Sequence, residues 1–379
     1  MKIGLDLINL YDLHVGLGRY AQQLIDGLAT LDRENEYILF INNINKKISN
    51  QIYVNNPRFH VQVVKTPSRK YAPWNQIYFA FHRKKLQNLD LLHSPVTPLP
   101  LLLSKKVKTV ITLHDLSWKI FPEHFRPEGV AWWRFVWPRS LKRSTHIVVD
   151  SENTKQSVLK FYYLPEEKIT VIYPYILLHL LETSPENLNV LKKRYNLPPK
   201  YILYVGALRK NKNLESLLKA FQILKKEKSI FQKLVLAGPK DWGNEKIFLE
   251  IKRLNLEDEV IVTGAISNED LPLIYKRADV FVFPSLHEGF GYPPLEATAC
   301  GTPVVVSNTS SLPEVVGEAG LYFDPLNPKD IAEKIYQVLS SPALAEKLRN
   351  LGLKRAQEFS MEKMIQKYLE VYKKVSLCL

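Results

Sequence analysis

The chain has 379 residues, 46% of them hydrophobic and 24% charged, which is enough for a large buried core and too long for one ordinary domain. Against 38 Asp and Glu stand 52 Lys and Arg, and the resulting charge of +14 suits phosphate-bearing ligands, nucleic acid or an anionic membrane face. The basic residues are scattered and accompany no zinc-finger or RNA-recognition signature, so a nucleic-acid partner is not expected, and two cysteines, Cys300 and Cys378, are too few for a disulfide framework or a zinc site.

The sequence opens on an apolar strand pattern, Lys2 to Asp6, whose aspartate interrupts the run too early for a signal-peptide core. The amphipathic stretch Leu17 to Leu31 predicts a helix, followed by strands at Tyr37 to Ile41 and His60 to Val64 and a helix over Asn75 to Gln87. Strands are expected at Leu89 to His93, Thr109 to Leu113, Ile147 to Val149 and Ile169 to Ile172, with helices over Val130 to Lys142 and Ser151 to Phe161. Prolines and polar residues between Tyr173 and Leu197 break this rhythm and predict a linker, with a domain boundary at 178/179.

Alternation then restarts with a strand at Tyr201 to Val205, a helix at Leu214 to Lys225, a strand at Lys233 to Ala237 and a helix at Asn244 to Leu254. Strands at Val260 to Val262, Val280 to Phe283 and Val304 to Val306 follow, and from Pro328 onward only helices are expected. The whole reads as an α/β chain of two doubly wound parallel sheets. No apolar run approaches the roughly 18 residues needed to cross a bilayer, so a soluble, cytoplasmic protein is expected. Ligands of such sheets bind beyond the carboxyl ends of the strands, which directs attention to the loops there.

One loop stands out. The segment Phe283-Pro-Ser-Leu-His-Glu-Gly-Phe-Gly-Tyr-Pro-Pro-Leu-Glu296 follows an apolar strand and leads into a helix ending near Cys300. Gly289 and Gly291 allow a tight turn, and Pro293 and Pro294 suit a helix start. The positive end of that helix is a cradle for a diphosphate, and Glu288 and Glu296 on either side can accept hydrogen bonds from the hydroxyls of a sugar and a ribose. Either glutamate alone would be an ordinary loop or capping residue. A second loop, Gly206-Ala-Leu-Arg-Lys-Asn-Lys-Asn213, is cationic and could offset charge on a leaving diphosphate, although a solvated basic turn would look the same. Gly16-Leu-Gly-Arg-Tyr-Ala21 fits the dinucleotide pattern, but the loop from Leu7 to Val15 separates it from its strand. His114 follows the strand Thr109 to Leu113, and although a lone histidine is more often structural, a place at a strand's carboxyl end favours function.

Glu288, Glu296 and Gly289-Phe-Gly291, with Ala299-Cys-Gly-Thr-Pro-Val304 and Asn308-Thr-Ser-Ser-Leu-Pro-Glu314, resemble the GT4 retaining glycosyltransferases from Gly16 to about Tyr368. The resemblance implies the GT-B fold: two Rossmann-like domains facing a central cleft, an acceptor-binding domain at 1–178 and a donor-binding domain at 179–357. The last helix, about 358–379, would cross back to the first domain. It implies a sugar moved with retained configuration from a nucleotide-diphosphate donor to a glycan or lipid-linked acceptor in cell-surface polysaccharide synthesis. Neither a cofactor nor a metal is expected, and the sequence has no Asp-x-Asp pair that could hold one in the manner of the other major transferase fold.

By resemblance Lys212 matches the diphosphate-binding lysine, Gly16 and Gly18 a donor-facing loop, and His114 a histidine beside the donor sugar. Gly206, Gly289, Phe290, Gly291, Leu295 and Glu296 fall in donor-binding positions. Where relatives often have an arginine the chain has Ala207, and Arg209 is the expected replacement, with Lys210 the alternative. Among the most similar relatives GDP-mannose is a frequent donor and is favoured here, with UDP-glucose or a similar sugar as the alternative. A nucleotide-sugar epimerase or an NAD-dependent oxidoreductase are the readings from other classes. Trp132, Trp133, Arg134, Phe135, Trp137 and Arg139 form an aromatic-basic cluster that reads equally as domain core or as an acceptor or membrane-facing surface.

Overall fold

The computed structural model describes residues 1–10, 16–43, 56–66, 74–82, 86, 88–104, 107–176, 188–241 and 244–377. The expected linker falls partly outside them, and the boundary at 178/179 and Cys378 wholly so. The chain divides into two compact units, residues 1–175 with 360–379, and residues 176–359.

The first unit is built on β1 (Lys2–Leu7), β2 (Glu36–Asn42), β3 (Phe59–Val64), β4 (Leu91–Ser94), β5 (Lys108–Leu113), β6 (His146–Val149) and β7 (Ile169–Val171). They form one sheet in the order β3-β2-β1-β4-β5-β6-β7, every pair parallel. The second unit carries β8 (Tyr201–Val205), β9 (Lys233–Ala237), β10 (Val260–Gly264), β11 (Val280–Phe283), β12 (Val304–Ser307) and β13 (Gly320–Phe323). Their order is β10-β9-β8-β11-β12-β13, again all parallel. Near-continuous apolar runs such as Val280–Phe283 and Val304–Val306 are what a parallel sheet covered on both faces requires, and all seven of these residues are fully buried.

In both sheets the strand order reverses once, between β1 and β4 and between β8 and β11. Loops leaving neighbouring strands part there in opposite directions and leave room for a ligand. The expected α/β architecture of two doubly wound sheets is what the chain adopts. Two details differ. The helix expected to reach Gln87 is seen over Trp74–Phe81, and the strand Gly320–Phe323 has no counterpart among the expected elements.

The helix Met361–Leu377 belongs to the first unit. Its buried residues Met364, Ile365, Tyr368, Val371, Tyr372 and Val375 make one stripe at helical spacing, packed against the helix Gly16–Leu31 and against β4 and β5. Among the described residues no helix is long and apolar enough to cross a membrane.

Candidate functional site

In the second unit the loops after β8 and β11, the two strands at the reversal point, meet over the carboxyl edge of the sheet. Gly206 leaves β8 with φ +153°, and its N–H donates to the Ala237 carbonyl at 2.8 Å. A Cβ on Gly238, at φ +150°, would lie 2.0 Å from the Gly206 carbonyl oxygen, so the two chains approach backbone to backbone. The loop then makes a short 3-10 turn, Lys210–Lys212, closed by Asn213 in the left-handed region at φ 55°. The Asn213 amide donates to the Pro284 and Pro325 carbonyls, which pins this loop to the one leaving β11.

That geometry delivers Lys212 to Glu288. The Lys212 Nζ donates to Glu288 Oε1 at 2.5 Å, and the Ser285 hydroxyl donates to the same oxygen at 2.5 Å. Both side chains are largely buried, and Lys212 Nζ also lies 5.4 Å from the centre of the Phe283 ring. Burial acts to raise the Glu288 pKa, but the Lys212 charge, the two hydrogen bonds and the nearby Arg209 overcome it and hold the carboxylate below its ordinary range. Arg209 reaches Asp241 only at 3.8 Å, and among the described residues its buried Nε has no hydrogen-bond partner. Ala207 contributes its carbonyl, which accepts from the buried Tyr204 hydroxyl at 3.2 Å.

The loop carrying Glu288 is held from below by hydroxyls. The Glu288 N–H donates to Ser310 Oγ at 3.0 Å, and the Ser311 hydroxyl bridges the Glu288 and Phe290 carbonyls. Phe290 is buried with its ring against Tyr292 and Phe359, so only its backbone faces outward chemistry. Gly291, at φ +105°, starts the helix Tyr292–Ala299. Pro293 and Pro294 lack N–H groups, so in the first four positions only Tyr292 and Leu295 have one, and that of Leu295 points to the Gly291 carbonyl at 3.4 Å. The helix end is therefore poorer in donors than a helix start usually is. Glu296 is buried on this helix and accepts from the Tyr275 hydroxyl at 2.8 Å. Tyr275, on the helix Leu271–Arg277, is a partner the sequence did not reveal.

The remaining candidates lie in the first unit. Gly16 and Gly18 open the helix Gly16–Leu31, Gly16 exposed with open space where a Cβ would stand, Gly18 buried. His114 directly follows β5 and pairs with Asp150, which directly follows β6, at 2.5 Å. Asp150 is absent from the expected site, although its place at a strand's carboxyl end is the signal that singles out His114. His93 is fully buried between Thr112 and Tyr372, a structural residue. The aromatic-basic cluster divides along the helix Pro127–Arg143. Val136 and Trp137 are buried and Trp133 is half-buried against Trp118 and Phe125. Trp132, Arg134, Phe135 and Arg139 lie on its more open side, the Arg139 guanidinium 3.9 Å from the centre of the Phe135 ring.

Comparison with known proteins extends this picture. Residues 189–355 match the family model described as glycosyl transferases group 1, and residues 15–178 match that of glycosyltransferase family 4. The O-antigen chain mannosyltransferase B of Escherichia coli is 33% identical, over 75% of this chain and 74% of its own length. The O-antigen chain mannosyltransferase RfbU of Salmonella typhimurium is 29% identical, over 70% of this chain and 69% of its own. Among solved structures, the glycosyltransferase from Rickettsia africae covers 100% of this chain and 99% of its own at a TM-score of 0.75 and 21% identity. The Anabaena HepE protein in complex with UDP-glucose covers 98% and 99% at a TM-score of 0.76 and 20% identity.

Proposed function

Because the chain belongs to the group 1, or family 4, glycosyltransferases, an enzyme family of the GT-B fold, we propose that it moves a hexose, with mannose favoured, from a nucleotide-diphosphate sugar to a glycan or lipid-linked acceptor in cell-surface polysaccharide synthesis. The observation that carries the reading is the Lys212–Glu288 pair at the β8–β11 reversal point, beside the start of the helix Tyr292–Ala299. Mannose as the sugar is supported by the two relatives named as O-antigen mannosyltransferases, and GDP as its carrier follows from the family resemblance alone.

In this reading Glu288 accepts hydrogen bonds from the donor sugar and Glu296, oriented by Tyr275, from the ribose. Lys212 and Arg209 offset the charge that grows on the diphosphate as the bond from C1 breaks, and the buried Nε of Arg209 is a donor suited to a phosphate oxygen. Gly206, Gly289 and Gly291, with the backbones of Phe290 and Leu295, shape the loop edge against which the diphosphate lies. The acceptor hydroxyl forms its bond to C1 on the face the diphosphate leaves, and the leaving phosphate oxygen takes the hydroxyl proton, so anomeric configuration is retained without a strong protein base. Gly16, Gly18 and His114, in the first unit, keep in this reading the donor-facing roles that the resemblance implies for them. Lys212 and Arg209 supply the positive charge that a metal supplies elsewhere.

The test is a donor panel read by luminescence of released GDP or UDP, with and without EDTA. Release from GDP-mannose that depends on acceptor and survives chelation is expected. It should vanish in Glu288→Ala and in Glu296→Ala while both variants remain folded, Glu288→Ala at a lower unfolding temperature because the buried Lys212 loses its partner. Release from UDP-glucose alone would overturn the donor assignment, loss with EDTA the metal-independent route, and near-normal turnover in both variants the site itself.

A further inference from the structure

β4, β5 and β6 lie side by side in one parallel sheet, with Ser94 opposite Ile111 and Leu113 opposite Val149. By that register His114 stands level with Asp150 and Pro95 level with Thr112, and Pro95, His114 and Asp150 are each the first residue past their strand along the carboxyl edge. The three are joined by a single imidazole. His114 Nδ1 is 2.5 Å from Asp150 Oδ2, and its Nε2 is 2.8 Å from the Pro95 carbonyl oxygen. A carbonyl oxygen only accepts, so Nε2 donates to Pro95; burial raises the Asp150 pKa while the His114 charge and hydrogen bond act to lower it, and with Asp150 ionised Nδ1 donates as well. A ring with two N–H groups is an imidazolium.

A third element fixes the ring's face. Tyr20, in the second turn of the helix that opens with Gly16 and Gly18, sets its ring edge-on to His114 with centroids 4.5 Å apart. Tyr20 is fully buried, and its hydroxyl is hydrogen-bonded to that of Tyr368 on the helix Met361–Leu377. Tyr368 in turn meets the Thr112 hydroxyl at 3.2 Å, two residues before His114 on β5. The remaining groups around the ring agree with a cation there. Asp115 adds negative charge, His93 on β4 is neutral with its pKa pushed down to about 3 by burial, and burial keeps the Tyr20 phenol un-ionised. Burial alone would lower the His114 pKa, but the charge of Asp150 and the hydrogen bonds to Asp150 and Pro95 reverse that and raise it.

We propose that Asp150 and Tyr20 are positioning residues that hold His114 as a fixed cationic brace across the ends of β4, β5 and β6, with Tyr368 acting through Tyr20. The proposal deepens the reading given above and rests on it, since it matters to the reaction only if the first unit contributes His114. It has a direct chemical consequence. A ring that donates from both nitrogens cannot take the acceptor's proton, so His114 does not act as a general base. It acts by holding its own backbone, and the loop that follows, against the neighbouring strand ends, and by carrying a positive charge that Asp150 stabilises.

Nitrogen-15 NMR of the imidazole ring in the full-length protein reads the brace without reference to activity. In the parent, His114 is expected to stay doubly protonated above the usual imidazole value, about 6.5, through which an ordinary histidine loses its proton. Asp150→Asn, nearly identical in shape, should release it to titrate near or below the usual imidazole value, about 6.5. With GDP-mannose and acceptor, that variant should lose about tenfold or more in kcat with little change in donor KM, and its rate should acquire a pH dependence near the new histidine pKa. Tyr20→Phe and Tyr368→Phe, which keep the rings and lose the hydroxyls, should lower kcat less. A parent His114 that titrates in the ordinary range overturns the brace, whatever the turnover. A ring that stays protonated in the parent, with undiminished turnover in Asp150→Asn, overturns the positioning role and removes His114 from the reaction. Should Asp150→Asn not fold, the parent titration still decides the first question, and the kcat of Tyr20→Phe decides the second.

Discussion

Two fully buried ionisable side chains in the first unit pull its acid stability in opposite directions. Asp6, at the reversal point of the sheet, accepts from Asn75 at 2.9 Å and from Ser94 at 3.2 Å, yet burial outweighs these bonds and lifts its pKa to about 6. Its folded value therefore lies above the unfolded one, about 3.9, so the folded state binds the proton first. Stability from this group is present below about pH 4 and lost as pH rises through 6. The loss is about 3 kcal/mol, since each pH unit between the two values contributes about 1.4 kcal/mol. His93 is the reverse case: with its pKa pushed down to about 3, the unfolded state binds the proton first and stability falls as pH drops below about 6.5. Urea titrations compared with the parent at each pH separate the two. Asp6→Asn should gain up to about 3 kcal/mol at pH 7 to 8 and nothing by pH 4, because its charge cost has gone. His93→Gln should improve relative to the parent as pH falls below about 6.5. A difference between Asp6→Asn and parent that does not change with pH would show that Asp6 is not ionised late in the folded state. None of this was legible in the sequence, since Asn75 and Ser94 stand 69 and 88 residues from Asp6. Glu288 and Lys212 are 76 residues apart, and their pairing too came only with the fold. Each could still be singled out beforehand, because each sits in a glycine-bearing loop directly after an apolar strand. Asp150 carries half of that mark, directly after the apolar strand Ile147 to Val149 but with no glycine beside it, and Tyr275 carries none.

At the scale of the element, the start of the helix Tyr292–Ala299 depends on one backbone conformation. Gly291 sits at φ +105°, ψ 60°, outside what L-residues adopt readily, and a Cβ there would lie 2.9 Å from the Leu312 Cδ2 atom. Gly291→Ala should therefore cost about 1–2 kcal/mol from the backbone alone, with more if Leu312, itself fully buried, cannot move aside. Because the strain falls between Glu288 and Glu296, the variant should also raise donor KM. Thermal unfolding and donor saturation curves check both effects, and a variant with the parent's midpoint and KM would show that this turn is not constrained. Such a turn is readable in advance from Gly-Tyr-Pro-Pro, because proline and glycine act through their own backbone. The strand Gly320–Phe323 is not, since four residues carry no periodicity and its pairing with Val304–Ser307 is what makes it a strand. The expected helix overruns Trp74–Phe81 for a related reason: the pattern beyond it stays amphipathic, and nothing in the sequence terminates it sharply.

At the scale of the whole molecule, two sheets were legible because buried parallel strands and amphipathic helices alternate over most of the length, while the polar seam that holds the last helix was not. Tyr368 and Tyr372 look like core residues in a sequence, and only the fold shows their hydroxyls engaging Thr112 and His93. The net charge of +14 and the exposed face of the helix Pro127–Arg143 bear on a different question, what the acceptor is attached to. Trp132 and Phe135 stand exposed on one face of this helix with Arg139, Arg134 is exposed on its flank, and a lipid-linked acceptor would require a surface that suits both headgroup phosphate and the first few ångströms of acyl chain. Charge alone would bring any strongly basic protein to an anionic vesicle, with about 1 kcal/mol per basic residue near the surface, so binding by itself decides nothing. The aromatic pair decides it. Full-length protein floated with phosphatidylglycerol-containing vesicles should bind at low salt, and Trp132→Ala with Phe135→Ala should weaken that binding although no charge has changed. Arg134→Gln with Arg139→Gln should weaken it further and reduce its salt dependence. If the aromatic variant binds as the parent does, attraction is merely the global field of the protein, and this helix faces water rather than lipid.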